Sequence, residues 1–236
     1  VRLTETWLKA VQRHSYLASA ELAAEKGAFP LFDREAYLAG ETIKGLDEDV
    51  RAAIAKNGIR NALINSIAPT GTISLFADNV SSGIEPVFSF TFKRNILLAD
   101  GSRQQEEVSD SAWRLYRRLH GEDAPLPDYF VDAQQLTPGD HVVMQAAAQK
   151  CIDSSISKTI NVPEAISFEA FKNVYAQAYA LGCKGCTTYR PNPITGAVLE
   201  TPDNVGQRED KKVVPLDPAR LRPADELEAG IVYMTQ

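Results

Sequence analysis

The sequence predicts an α/β fold with parallel strand pairing, and three observations carry that expectation. Ser157 to Asn161 and Cys183 to Tyr189 both have strand composition, bounded by Pro163 and Pro191. Between them, Ser167 caps a helix whose apolar face is Phe168, Phe171, Val174, Tyr175 and Ala178, stopped by Gly182. Strand, helix and strand within about thirty residues is the pattern of a βαβ crossover, which places the two strands parallel.

The other elements follow in chain order. Leu8, Val11, Ser15, Ala18 and Leu22 recur at spacings of three and four, which predicts a first helix ended by Gly27. A turn containing Pro30 leads to a second helix over Leu46 to Asn57, ended by Gly58. Ala62 to Ile67 is a short, mostly apolar run that reads as a buried strand or its end. Val87 to Leu98 has strand composition, with Phe88, Phe90 and Phe92 alternating with Ser89 and Thr91. Ser109 to His120 reads as a helix carrying Trp113, Tyr116 and Leu119. Thr137-Pro138-Gly139-Asp140 is a strong helix start, with a hydroxyl N-cap, proline at the first helical position and a carboxylate two residues later, and the helix runs to about Lys150. Six of the 13 prolines fall in 191–236, and 203–212 is charged and poor in apolar residues. That stretch reads as a linker or tail. The expected organisation is a helical lead-in over 1–60, an α/β portion over 61–190 and a proline-rich tail over 191–236.

The 236 residues, 44% of them apolar and 24% charged, have the composition of an ordinary globular protein. With 25 Lys plus Arg against 31 Asp plus Glu, the net charge of −6 provides no general field for nucleic acid or an anionic membrane. A small anion bound by local dipoles is still allowed. No run approaches the ~20 apolar residues of a membrane span, and no secretory signal opens the chain. Three cysteines are too few for a disulfide scaffold, which points to a reducing, cytoplasmic setting. The chain starts at Val1, which suggests a piece of something longer.

Ala68-Pro69-Thr70-Gly71-Thr72-Ile73-Ser74 has the parts of an anion cradle. Gly71 lets backbone approach a ligand, Thr70, Thr72 and Ser74 supply hydroxyls, and a following helix adds free N–H groups. No lysine follows the glycine, so the loop lacks the equipment to break a phosphoanhydride and would hold a diphosphate as a handle. A capped turn with no ligand is the plain alternative.

The same loop, followed by Ser81-Ser82-Gly83-Ile84-Glu85-Pro86, resembles the C-terminal half of a ribonucleotide reductase catalytic chain. Ser157-Lys158-Thr159-Ile160-Asn161-Val162-Pro163 and Gly182-Cys183-Lys184-Gly185-Cys186-Thr187-Thr188-Tyr189-Arg190 extend the resemblance in the family's order. It implies the later half of a ten-stranded α/β barrel of the ribonucleotide reductase and glycyl-radical-enzyme type. It also implies that Ala68, Pro69, Thr70, Gly71, Thr72, Ile73 and Ser74 bind the phosphates of a ribonucleoside di- or triphosphate.

Family members served by a separate radical-storing subunit carry adjacent tyrosines where this chain resembles them at Thr187 and Thr188. The pattern here is instead similar to the adenosylcobalamin (vitamin B12)-dependent class, in which a thiyl radical converts ribonucleotides to 2′-deoxyribonucleotides. The other partners implied are a thioredoxin-type reductant and the missing N-terminal half of the barrel, with a homodimer left open. Two rival readings are a reductase with a separate radical subunit and a catalytically silent nucleotide-diphosphate-binding module. The family's Asn-x-Cys-x-Glu radical loop does not occur in this sequence. The expectation is therefore no catalytic residue and no metal ligand in this portion, and no turnover by this chain alone.

The remaining chemistry-bearing residues read as structural. Cys151 follows an amide and precedes a carboxylate two residues on, yet it ends a helix and reads as a packed thiol. Cys183 and Cys186 form half of a metal or redox motif with no second ligand pair, and on a strand they would point to opposite faces. His14, His120 and His141 have no metal spacing and read as solvated or capping side chains. Lys158 and Arg190 read equally well as barrel-rim residues or as groups leaning toward phosphate. Glu85 reads as shaping the turn behind the cradle.

Overall fold

The computed structural model describes residues 1–97, 103–190 and 199–200. These lie in a unit spanning Val1–Pro202, whereas a second unit, Asp203–Gln236, falls outside the described residues, as does all of the expected 191–236 tail except Leu199 and Glu200.

Helix α1 (Arg2–Lys26) ends where Gly27 turns to φ 81°, as the sequence predicts. Its buried face is different from the expected one. Gln12, Tyr16, Ser19, Ala20 and Ala23 are buried, whereas Val11 is 53% exposed and Ala18 and Leu22 also face out. The face is turned by one position because Ser19, Ala20 and Ala23 are small enough to bring α1 close to α4 (Glu48–Asn57), with Tyr16 filling the remaining gap. Between them lie α2 (Arg34–Ala39), capped by Asp33 through Ala36 N–H, and the single turn α3 (Glu41–Lys44). Neither is expected from the sequence. Ile43, Leu46, Val50, Ile54 and Ile59 complete this first core, and Arg13 closes its rim with a two-pronged pair to Asp49 at 2.7 and 2.5 Å.

The expected strand at Ala62–Ile67 does not form. The segment opens with a bend at 62–63 and continues without regular structure, and its backbone bonds are scattered: Ser154 N–H donates to the Asn65 carbonyl and Ser157 N–H to the Ile67 carbonyl. A ladder needs a partner with matching repeat, and the 151–157 turn is irregular. The chain then enters the short helix α5 (Gly71–Phe76).

Strand β1 (Thr91–Leu97) covers only the later part of the expected Val87–Leu98 strand: residues 87–90 are irregular, and Leu98 lies outside the described residues. It pairs antiparallel with β2 (Arg103–Ser109), in register from Thr91 opposite Ser109 to Leu97 opposite Arg103. This hairpin is absent from the sequence reading, because Arg103–Ser109 is polar and lacks apolar alternation. Helix α6 (Ser111–His120) follows, capped by Asp110. Helix α7 (Pro138–Gln149) opens with the anticipated reciprocal cap between Thr137 and Asp140.

The expected βαβ unit is present: β3 (Thr159–Asn161), α8 (Phe168–Ala180) capped by Ser167, and β4 (Thr187–Tyr189), with β3 and β4 parallel. Val142, Ile160, Val162, Val174 and Ala178 form its core. The last two-residue strand, β5 (Leu199–Glu200), pairs with β1. The α/β class therefore holds, but among the described residues the strands form two separate sheets, ordered β2-β1-β5 and β3-β4, rather than a closed barrel of ten. No helix among the described residues is long and apolar enough to cross a membrane.

Candidate functional site

Thr70 precedes α5 in the left-handed region, at φ 48° and ψ 27°, an unusual conformation for a β-branched residue. The next residue turns right-handed into the helix, so successive amides are brought toward one point, the backbone geometry of an anion nest. The first α5 amide with a helical acceptor is Ser74 N, which donates to the Thr70 carbonyl at 2.8 Å. The amides of Gly71, Thr72 and Ile73 come before it and have no acceptor within the helix. Ala68, Pro69, Gly71, Thr72 and Ile73 are exposed, and a Cβ on Gly71 would meet nothing within 4 Å.

The loop is held from behind by the segment after it. Gly83 N–H donates to Thr70 Oγ1 at 2.7 Å, which occupies a lone pair of that hydroxyl but leaves its proton free. A Cβ on Gly83 would stand 2.6 Å from the Ala68 carbonyl oxygen, and φ is +57°, so glycine is required for this approach. Ser74 is buried and its hydroxyl donates to the Val80 carbonyl. Among the described residues that leaves the Thr70 and Thr72 hydroxyls as the loop hydroxyls whose protons are not given to another group. Between them and Gly83, Asp78 and Asn79 are both left-handed, and Arg114 of α6 pins this turn through the Asp78 carbonyl at 2.9 Å.

Glu85 continues the same segment. Its Oε1 accepts Thr159 N–H, and its Oε2 accepts Lys158 Nζ at 2.6 Å. Lys158 is 2% exposed, and its ammonium also donates to the Thr159 carbonyl and lies 2.9 Å from His141 Nδ1. An ammonium has no acceptor, so Nδ1 must accept and the imidazole carries its proton on Nε2, which is buried with no hydrogen-bond partner. Burial pushes the Lys158 pKa down, opposed by the Glu85 carboxylate. Burial, then the Lys158 charge, pushes His141 below its ordinary 6.5.

His141, expected as a solvated or capping side chain, is 1% exposed. The sequence offers no signal for this, because its partners lie 17 residues away at Lys158 and, through Lys158, a further 73 away at Glu85. The depressed value has a consequence. Above 6.5 the imidazole is neutral in both the folded and unfolded chain. As pH falls below 6.5 the unfolded chain takes up the proton first, so stability is lost progressively. His141→Gln keeps an acceptor for Lys158 and removes the titration. Urea midpoints on either side of pH 6.5 are expected to differ less in that variant than in the parent sequence.

Glu85 and Thr159 also line a cavity of about 270 Å³, together with Ser74, Ser81, Asn161 and Phe92. Of the seven loop residues only Ser74 reaches it; the other six lie outside its lining.

The cysteines sit elsewhere. Residues 183–186 are irregular rather than a strand, and both Cys183 and Cys186 are half-buried against the β3–α8 core instead of pointing to opposite faces. Burial pushes both thiols up, as it does Cys151, so none is poised as a thiolate. Thr188 Oγ1 lies 2.9 Å from the Tyr175 hydroxyl, a neighbour not evident in the sequence. Among the described residues no group of three or more His, Cys, Asp or Glu side chains is placed to hold a metal ion.

Residues 1–189 match the family model described as "Ribonucleotide reductase, barrel domain". The chain is 32% identical over 221 residues to a vitamin B12-dependent ribonucleoside-diphosphate reductase of Mycobacterium tuberculosis (strain CDC 1551 / Oshkosh), covering 85% of this chain and 29% of that protein. It is similarly 32% identical over 229 residues to a protein of the same description from Thermoplasma acidophilum, covering 90% of this chain and 27% of the relative. A vitamin B12-dependent ribonucleotide reductase of Streptantibioticus cattleyicolor is 30% identical over 264 residues, covering 88% and 43%. The chain thus spans between about a quarter and under half the length of these relatives.

Proposed function

The chain belongs to the ribonucleotide reductase barrel-domain family, and from that premise we propose that residues 68–74 hold the phosphates of a ribonucleotide that the whole protein reduces to its 2′-deoxy form. The observation that carries this reading is the left-handed Thr70 opening α5, followed by the exposed residues Gly71, Thr72 and Ile73, whose amides have no acceptor within the helix. A phosphate there would accept hydrogen bonds from those amides and from the Thr70 and Thr72 hydroxyls. With no lysine in the loop, the phosphates serve to place the ribose, and their binding energy fixes the geometry of the reaction elsewhere.

The relatives named vitamin B12-dependent support adenosylcobalamin as the cofactor of the whole protein. When bound, that cofactor supplies an organic radical for thiyl chemistry at a cysteine. No contact with it is assigned to this chain. What the chain contributes in this reading is substrate placement: the 61–190 portion carries the phosphate loop, the 1–60 helices support it, and the reducing equivalents come from a thioredoxin-type partner in the cytoplasm. Thr187 and Thr188, whose hydroxyls cannot relay a radical, weigh against a separate radical-storing subunit.

The test is turnover by the full-length protein. With adenosylcobalamin, a dithiol reductant and no second subunit, a ribonucleoside diphosphate or triphosphate is expected to yield the deoxyribonucleotide. Turnover only after a radical-storing subunit is added would assign the protein to the other reductase class. Nucleotide binding with no turnover under either condition would favour the silent binding module.

A further inference from the structure

We infer that Glu85, Lys158 and His141 form a positioning strut for the phosphate loop, an inference that rests on the phosphate-binding reading above. The three side chains arrive from three separate stretches: the turn after Gly83, the residue before β3 and the first turns of α7. The Lys158 ammonium has three protons to donate and meets three acceptors, Glu85 Oε2, His141 Nδ1 and the Thr159 carbonyl. Its hydrogen-bonding capacity is filled, and each bond is directional.

Glu85 is held by both oxygens, one by the ammonium and one by Thr159 N–H, so its carboxylate cannot rotate away from β3 without losing a bond. Two residues earlier, Gly83 donates to Thr70 Oγ1 and stands against the Ala68 carbonyl with no slack. A shift of Glu85 is therefore passed through one short, tight segment to Thr70. That is the residue whose left-handed backbone aims the amides of 71–73. Lys158 and His141 are too deeply buried to reach a ligand on the open side of the loop. They act through Glu85 and Gly83 rather than on substrate.

A buried ion pair costs desolvation, and apolar side chains of the same volume are often as stabilising or more so. What apolar packing does not supply is a fixed angle between two segments. The chain carries the costly pair where the angle matters to the loop.

The experiment uses the full-length protein and two readouts: steady-state turnover of a ribonucleoside diphosphate, and amide hydrogen exchange over residues 70–74, which needs no turnover. Glu85→Gln preserves shape and an acceptor for Thr159 N–H but presents a neutral amide to Lys158. It is expected to raise KM about tenfold while kcat stays within about threefold, the signature of lost binding without lost chemistry. Exchange at 70–74 is expected to speed up while α1 and α4 keep their protection. Lys158→Met should behave alike, and the double variant should be no worse than the poorer single, because the pair acts as a unit. If Lys158→Met fails to fold, Glu85→Gln alone decides.

Unchanged KM and unchanged exchange in Glu85→Gln overturn the strut. A collapse of kcat at constant KM also overturns it, because Glu85 would then belong to the chemistry. Gly71→Val separates this inference from its premise. If that variant loses affinity and Glu85→Gln does not, only the strut falls; if neither does, the phosphate reading falls and the strut with it.

Discussion

Gly71→Val in the full-length protein is expected to raise KM for the nucleotide by roughly 10- to 100-fold, the loss of one charge-assisted hydrogen bond of about 1.5–3 kcal/mol. The reason is position. A Cβ on Gly71 meets no described protein atom within 4 Å, so an isopropyl group can be added without a clash, and it bulks up the loop that a phosphate would have to approach closely. The same observation makes the test clean. Gly71 is not in the left-handed region, and valine is as acceptable as glycine in a first helical turn, so thermal stability should barely move. A variant that folds normally and binds substrate like the parent would remove the phosphate role from this loop. Valine at Gly83 would be the wrong experiment, because its Cβ would collide with the Ala68 carbonyl and damage the loop whether or not it binds anything.

Asp153→Ala is expected to be the most damaging of the substitutions considered for stability, at about 2–5 kcal/mol, because it strands one buried and one half-buried donor at once. Asp153 is 8% exposed. Its Oδ1 accepts the Tyr16 hydroxyl at 2.5 Å and its Oδ2 accepts Ile64 N–H at 2.7 Å. Burial, then the adjacent Asp153 carboxylate, drives the Tyr16 pKa far above its ordinary 10.0, so the phenol remains a donor at any working pH. The backbone of the same residue donates to Asn65 Oδ1 at 2.9 Å and accepts from Lys184. One aspartate thus ties α1 to the segment that leads into the 68–74 loop. With about 2–4 °C per kcal/mol for a chain of this size, the melting temperature should fall by roughly 5–15 °C. Tyr16→Phe removes one donor and keeps the ring packed, so about 1 kcal/mol is expected there. A loss from Asp153→Ala no larger than from Tyr16→Phe would show that the Ile64 bond carries no weight.

The parts of this structure legible in the sequence are those decided within four residues. The Thr137–Asp140 reciprocal cap, the Ser167 cap and the stops at Gly27, Gly58 and Gly182 each depend on local hydrogen bonds or a local φ, and each is found where the residue types place it. The α8 helix and its flanking parallel strands follow from the same signals plus spacing. Elements with weaker local signatures were not legible. The β1–β2 hairpin pairs a strand of Arg, Gln and Glu whose side chains show no alternation. The one-turn helix α3 has no side-chain cap to announce it.

The chemistry on offer is written in the residue order: the succession of the four motifs, the glycine and hydroxyl composition of residues 68–74, the absence of a lysine there, and the family to which that succession belongs. Tertiary structure alone decided which of these groups meet and which are buried. It turned α1 by one position, because close packing against α4 favours small side chains over the apolar stripe. It left Ala62–Ile67 without a ladder, because pairing depends on the geometry of a partner 89 residues away. It also enclosed Lys158 between Glu85 and His141, residues 73 and 17 positions distant. Desolvation and strand pairing are properties of the surroundings, and the chain must fold before a residue acquires any.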